Sequence, residues 1–382
     1  MSPNTFPEGG QHCPATVGLY VHIPFCSIKC FYCDFTAFAG QSLTVERYLR
    51  ALESEARLFS PRVPTTLYIG GGTPSELSVP QISQLFDLLY RAHPASVFSE
   101  ITFEANPESL DAKKLRVLND AGVTRLSLGL QTMDAALLKA IGRKHSPEDF
   151  LKVYALARRA GGPSISVDLM YGLPGQNMKR CRDSLAAVLE LEPEHLSLYG
   201  LQVEDRTLFG KRAVEVDEDL SREMFEASLE MIGRAGYRHY EISNFARPGF
   251  ESRHNLIYWN NGEYIGLGCG AAAYLNGERS TNIDRLRPYC EAVERGQRPR
   301  AISERLTGKE KLGEDAFLGL RLVQGFKPGP GLEAEFAKQW LSLSERGYIQ
   351  REGDRVRLTH EGLFLANQAL AEFVAPFPEA AA

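Results

Sequence analysis

Six short apolar runs, at 17–23, 66–69, 100–103, 125–128, 164–170 and 195–199, alternate with amphipathic stretches at 45–58, 80–92, 111–120, 150–160 and 178–191. The runs have the length of strands. In the stretches between them apolar residues recur at spacings of three and four, the period of a helix with one buried face. Strand and helix in alternation, with short polar joints, predict a parallel sheet covered by helices. Six strands completed by residue 199 favour a closed or partly closed (β/α) barrel, with a doubly wound sheet as the alternative. In either architecture the chemistry belongs at the C-terminal ends of the strands, so the residues just after each run carry most information.

With 382 residues the chain has room for one large domain and a smaller one, and it can bury a core without disulfides. We expect four parts. Residues 1–15, polar and rich in Pro and Gly, form a flexible tail; 16–242 form the barrel; 243–300 form an aromatic, Gly-rich connecting segment; 301–382 form a small C-terminal α+β unit. Residues 217–235 read as another helix and 238–242 as a strand, whereas 243–285 show little periodicity and are expected to be loop-rich and functional. Helical patterns at 308–322 and 332–345 precede YIQREGDRVRLT, which turns at Glu352-Gly353-Asp354, and a last helix starts at His360. Helix, helix, hairpin, helix is winged-helix-like.

Winged helices often bind DNA, but here 48 acidic side chains outnumber 43 basic ones for a net charge of −5, which argues against nucleic acid. No apolar run approaches the roughly 18 residues of a membrane span. The opening MSPNTFPEGGQHCP lacks the basic start and apolar stretch of a secretory signal. Seven cysteines, an odd number with three of them inside eight residues, suit a cytoplasmic protein with reduced thiols, and clustered thiols there point to metal. A membrane protein, a disulfide scaffold, a disordered chain and a secreted hydrolase are all disfavoured.

Cys26, Cys30 and Cys33 stand in YVHIPFCSIKCFYCDF with the spacing C-x3-C-x2-C, directly after the first strand. Thiolates so spaced on one tight loop can converge on the irons of a cubane cluster. Three ligands for four irons leave one iron open to a small molecule. The competing reading is structural zinc, which is tetrahedral and needs a fourth Cys or His. His22 lies in an alternating strand and is expected to face away, and Asp34 is a less common structural ligand. Gly70-Gly71-Gly72-Thr73-Pro74 follows the second strand, where a glycine run either turns the chain or lets the backbone approach a ligand. Glu104, Gln131, Arg143 and Asp168 follow later strands. Singly, each reads as a cap or a surface group; at the ends of successive strands they describe a polar mouth. Cys181, Cys269 and Cys290 are isolated and read as buried or incidental thiols.

With YVHIPFC before it and an aromatic residue before its third cysteine, this pattern resembles the radical S-adenosylmethionine (SAM) enzymes. More narrowly, the chain resembles the oxygen-independent coproporphyrinogen III oxidase-like family, which includes a haem-chaperone branch, and the likeness runs from Tyr20 to the C-terminal unit. The resemblance implies a partial (β/α) barrel carrying a [4Fe–4S] cluster on Cys26, Cys30 and Cys33, with SAM bound at the open iron. It implies that Gly71, Gly72 and Thr73 hold the amino group of SAM. Glu104, with Tyr20 and Tyr32 beside the cysteine loop, would contact SAM; Gln131, Asp168 and Arg143, which suits the carboxylate of the methionine end, would contact SAM or a second SAM. An electron donor is implied wherever SAM is cleaved.

Two departures bear on activity. The oxidases of the family carry a further Cys soon after the third, whereas Cys33 is followed here by Asp34 and Phe35. With 25 residues before Cys26, their long N-terminal extension is not expected. Instead HNLIYW, residues 254–259, resembles the signature of the haem-binding branch. His254 is then a candidate axial ligand, with Tyr258 and Trp259 as flat faces for a macrocycle. A His among aromatics is also an ordinary hydrogen-bonded structural residue, in which case another group, such as the Cys13 thiol, would bind the iron. The expectation is a cytoplasmic haem chaperone, monomer or dimer, that passes haem to a soluble or membrane-associated acceptor. Coproporphyrinogen III oxidation, or another radical SAM reaction such as methyl transfer, is the alternative.

Overall fold

The computed structural model of the chain describes residues 16–41, 44–58 and 63–375. The tail expected at 1–15, with Cys13, lies outside them. Strands β1 (Val17–Ile23), β2 (Pro64–Gly71), β3 (Glu100–Ala105), β4 (Arg125–Gln131), β5 (Ser164–Tyr171) and β6 (His195–Gly200) are parallel neighbours in chain order. Helices α1 (Val45–Arg57), α2 (Val79–Ala92), α3 (Ala112–Asp120), α4 (Pro147–Ala160) and α5 (Met178–Glu190) connect them. Side chains set the helix starts: Asp111, Ser146 and Asn177 accept backbone N–H groups at their N-caps, and Ser78 forms a capping box with Gln81.

Strand order never reverses along this series, as a doubly wound sheet would require. Right-handed crossovers that advance one strand at a time place every helix on the same face. The other face becomes the inside of a barrel. Beyond β6 follow α6 (Glu218–Arg234), β7 (Arg238–Glu241), β8 (Asn244–Ala246), α7 (Arg253–Trp259), β9 (Tyr264–Leu267), β10 (Ala272–Leu275), β11 (Glu278–Asn282), α8 (Leu286–Glu294) and β12 (Arg300–Glu304). The resulting sheet has the order β12-β11-β10-β9-β1-β2-β3-β4-β5-β6-β8-β7. Its two ends stay unpaired with each other, so the barrel is partial.

Residues 243–285, expected to be loop-rich, are thus mostly regular and extend the sheet through a parallel β1–β9 pairing. Their strands are three to five residues long, too short to show an alternation. Gly268 and Gly270, both at positive φ, bend the chain between two of them.

The alternation within the strands sorts side chains by face. Leu19, Val21, Leu67, Ile69, Phe103, Leu126, Val167 and Leu196 point to the helices and form the main core. Their neighbours along the strands are polar: Tyr20 and His22, Thr66 and Tyr68, Glu100 and Glu104, Arg125 and Ser127, Ser166 and Asp168, His195 and Ser197. These line the barrel interior.

The C-terminal part comprises α9 (Gly308–Gly319), a short helix Pro330–Glu335, α10 (Ala337–Glu345), a hairpin of β13 (Ile349–Glu352) and β14 (Arg355–Leu358), and two further helical turns. The helix expected at 332–345 breaks at Phe336 (φ −109°, ψ 25°). Phe336, Trp340, Val356, Leu370 and Phe373 build a second apolar core, which Phe225 of α6 joins. Among the described residues no helix is long and apolar enough to cross a membrane.

Candidate functional site

The cysteine loop leaves β1 and is tied at several points. Cys33 N donates to Cys30 O (3.2 Å) and Phe31 N donates to Ile141 O (3.1 Å). Lys29 Nζ donates to Phe35 O (2.9 Å), and Arg206 pairs with Asp34 (2.7 Å), which engages the carboxylate weighed above as a metal ligand. His22 faces the barrel interior with both ring nitrogens engaged, one on Tyr20 Oη (2.8 Å) and the other on Thr36 O (2.7 Å). Cys26, Cys30 and Cys33 are free, partly exposed thiols on one wall of a cavity of about 320 Å³. Burial pushes the Cys26 thiol up to about 11, with its Thr73 bond pulling the other way. Among the described residues no three His, Cys, Asp or Glu side chains are placed to hold a single metal ion.

The strand ends β2 to β5 supply the facing wall. Gly71 has φ 115°, and a Cβ there would lie 2.6 Å from the His22 ring. A Cβ at Gly72 would lie 2.9 Å from Phe25 O and 3.0 Å from Cys26 Sγ. The glycine edge therefore sits against the cysteine loop as bare backbone, fastened by Gly72 N to Ile23 O (2.9 Å) and Thr73 N to Phe25 O (2.8 Å). Beyond it, Glu104 accepts from Tyr68 Oη (2.6 Å) and Gly71 N (3.1 Å). Burial pushes its carboxyl up to about 7 against those two bonds, and nearby Asp168 adds to the rise. Asp168 accepts from Ser127 Oγ (3.3 Å); burial raises it to about 6, opposed by Ser197 and Ser127. Gln131 holds φ 73°, uncommon for a residue with a Cβ, at a register shift between β4 and β5 that turns its side chain toward the cavity.

Arg143 lines this cavity too and is also hydrogen-bonded within the protein. Nη2 donates to Asn106 Oδ1 (2.8 Å) and Gly129 O, Nη1 donates to Cys30 Sγ (3.5 Å), and Nε is buried without a partner among the described residues. Tyr32 lines the same cavity. So do Asn106, Ser127, Met170 and Tyr199, which the sequence reading passed over. Ser127 and Tyr199 were visible as inward members of alternating strands, and Asn106 as the residue two beyond Glu104 in FEANPESL.

A second cavity of about 320 Å³ is lined by Tyr20, Tyr258, Trp259, Tyr264, Arg279 and Leu318 among others. The structure thus sets Tyr20 beside this cavity and not the first. Helix α7 enters the barrel here: Glu100 accepts from Arg253 N (3.1 Å), His254 N (3.0 Å) and Ser252 Oγ (3.4 Å). His254 is fully buried. One ring nitrogen bonds Thr66 Oγ1 (2.8 Å) and the other Tyr258 Oη (2.7 Å), so neither is left for an iron in this arrangement. Burial drives its imidazole down to about 3. Tyr68 stands between the cavities: its hydroxyl is on Glu104, while its ring lies 5.2 Å from that of His254 and 6.2 Å from that of Tyr20.

Comparison with known proteins agrees with this architecture. The model of the Radical SAM superfamily matches residues 20–188. The haem chaperone HemW of Bacillus subtilis (strain 168) is 40% identical over 374 residues, covering 93% of this chain and 98% of that protein. HemW of Lactococcus lactis subsp. lactis (strain IL1403) is 37% identical over 367 residues, covering 93% and 96%. Among solved structures, coproporphyrinogen III oxidase (HemN) from Escherichia coli, described as a radical SAM enzyme, superposes with a TM-score of 0.82 over 95% of this chain and 91% of that one. At 24% identity it speaks for the fold alone.

Proposed function

The chain belongs to the HemW-like family of radical SAM proteins, and from that membership we propose that it is a haem chaperone which holds a [4Fe–4S] cluster with SAM in the first cavity and haem against the second. The donor set suits the cluster. Three soft thiols face one cavity, and at Gly72 a side chain would collide with Cys26 and the loop behind it. Cys26, Cys30 and Cys33 would hold the cluster, which when bound supplies a one-electron couple and one open iron. Gly71, Gly72 and Thr73 would offer backbone and hydroxyl groups to the amino end of SAM. Glu104 and Asp168 would accept from its ammonium or ribose hydroxyls, and Gln131 and Tyr32 would bound the site.

The observation that carries the haem reading is the aromatic cavity built by α7. Tyr258 and Trp259 are fixed on a helix whose first turn is bound by a buried carboxylate, beside Tyr20 and Tyr264. Flat apolar rings of this kind stack on a macrocycle. Tyr258 and Trp259 would therefore be the haem contacts, with His254 holding Tyr258 in place. Arg321 over the Trp259 ring, 4.2 Å from its centroid, fixes that indole further.

The test is anaerobic reconstitution with iron and sulfide, followed by haem titration read in the Soret region. A saturable shift is expected, with Trp259→Ala about tenfold weaker. Adding coproporphyrinogen III, SAM and reductant should then yield no protoporphyrinogen, since Asp34 and Phe35 follow Cys33 without the further cysteine that the resemblance assigns to the oxidases. Product formation would overturn the chaperone reading in favour of the oxidase.

SAM binding should also depend on pH. A ligand that donates hydrogen bonds to Glu104 and Asp168 needs them ionised, and burial holds their protons up to about 7 and about 6. Affinity measured by calorimetry should thus rise from pH 5 to 7.5, by up to about tenfold per unit for each carboxylate still protonated. A flat profile would mean that neither carboxylate is a SAM acceptor.

A further inference from the structure

Two of the three cysteines are joined by a continuous line of side chains. From Cys26 Sγ the line runs to Thr73 Oγ1 (3.4 Å), from there to Asn106 Nδ2 (3.2 Å), across the amide to Asn106 Oδ1, and on to Arg143 Nη2 (2.8 Å). Arg143 Nη1 closes it on Cys30 Sγ (3.5 Å). Arginine has only donors, so the Asn106 oxygen must face it and the Asn106 nitrogen must face Thr73. The nitrogen donates, which occupies a lone pair of the Thr73 oxygen and leaves the Thr73 proton to point at Cys26. One amide therefore sets the direction of the whole line, and both ends donate to sulfur.

Asn106 is fixed by its surroundings. Its N–H donates to Ser75 Oγ (3.0 Å), Pro107 follows it, and Ser75 is fully buried against Ser109 (2.6 Å). Lys114 Nζ donates to both Ser75 O (2.6 Å) and Ser109 O (2.7 Å). The glycine edge and the Asn106 turn are thus one rigid piece.

We propose that Asn106 is a positioning residue that orients the Thr73 hydroxyl onto the Cys26 thiolate and the Arg143 guanidinium onto Cys30, and thereby raises the reduction potential of the cluster. Donors to a cluster thiolate stabilise the more negative, reduced state, so they move the potential upward. This rests on the reading that Cys26, Cys30 and Cys33 hold a [4Fe–4S] cluster.

The test is a spectroelectrochemical titration of the reconstituted full chain without haem, with iron and sulfide content measured first. Wild type lacking four irons per chain would overturn the cluster reading itself, separately from the role of Asn106. Given the cluster, Asn106→Ala and Thr73→Val should each move the potential to more negative values, and Thr73→Ser, which keeps the hydroxyl, should not. Asn106→Asp, an acceptor of the same shape, turns the Thr73 proton away from Cys26 and should move it further down. Because Asn106 acts on Cys26 through Thr73, the shift from Asn106→Ala should shrink on the Thr73→Val background. An Asn106→Ala potential equal to wild type, or shifts that simply add, would overturn the proposal. The electron paramagnetic resonance signal of the reduced cluster should change in parallel with the potential.

Discussion

Glu100→Ala should lower the free energy of unfolding by about 3–5 kcal/mol, the usual consequence of leaving a buried charge without its partner. Glu100 and Arg125 are both almost fully buried on adjacent strands, 3.3 Å apart. Arg125 Nη2 donates as well to Phe250 O (2.8 Å) and Glu251 O (3.2 Å), while its Nε and Nη1 have no partner among the described residues. Removing the carboxylate would strand that guanidinium inside the barrel and release the first N–H groups of α7 at the same time. Glu100→Gln keeps the shape and an acceptor, so it should cost less, about 1–3 kcal/mol. Urea unfolding of both variants, matched in cluster content, checks the order. A loss below 1 kcal/mol for Glu100→Ala would show that α7 is held by its packing alone. Where the full loss is found, haem affinity should fall with it, because Tyr258 and Trp259 ride on the same helix.

Most of the barrel was legible because its signals are long and local. Seven-residue β1 is read from VGLYVHI, and amphipathic runs closed by caps such as Asp111 and Ser146 mark the helices. What escaped was built from short or distant pieces. The strands after residue 243 are too brief to declare a period, and their place beside β1 depends on a pairing across the whole barrel. The polar interior was in plain view as alternation in EITFEA and SISVDLMY, but those segments were read as apolar runs. The thiols, the glycine edge and the acids at the strand ends line one cavity. Tyr20 shows the limit: a residue type and a strand end do not say which cavity a side chain meets.

His254→Ala is expected to cost about 3 kcal/mol at pH 7, since it empties a fully buried site and leaves the Thr66 and Tyr258 hydroxyls without their partner. The loss should depend on pH in a fixed direction. Burial drives the folded imidazole down to about 3, below its ordinary value of 6.5, so the unfolded chain binds a proton in that window that the folded chain does not. The stability that depends on a neutral His254 is whole above pH 6.5 and declines as pH falls toward 3. Between pH 7 and 5 the wild type should lose about 2 kcal/mol through this residue, so the penalty of His254→Ala should shrink to about 1 kcal/mol. Taking the difference between variant and wild type removes the opposite drift from Glu104 and Asp168, whose raised values favour the folded state as pH falls. Haem titration of the same variant separates the two roles written into HNLIYW. With His254 as the brace of Tyr258, affinity drops while the Soret maximum at saturation stays where it is in wild type. With His254 as an iron ligand, the maximum itself must move, and the imidazole would first have to surrender Thr66 or Tyr258. A moved maximum would therefore overturn the bracing role and require that α7 rearrange when haem binds.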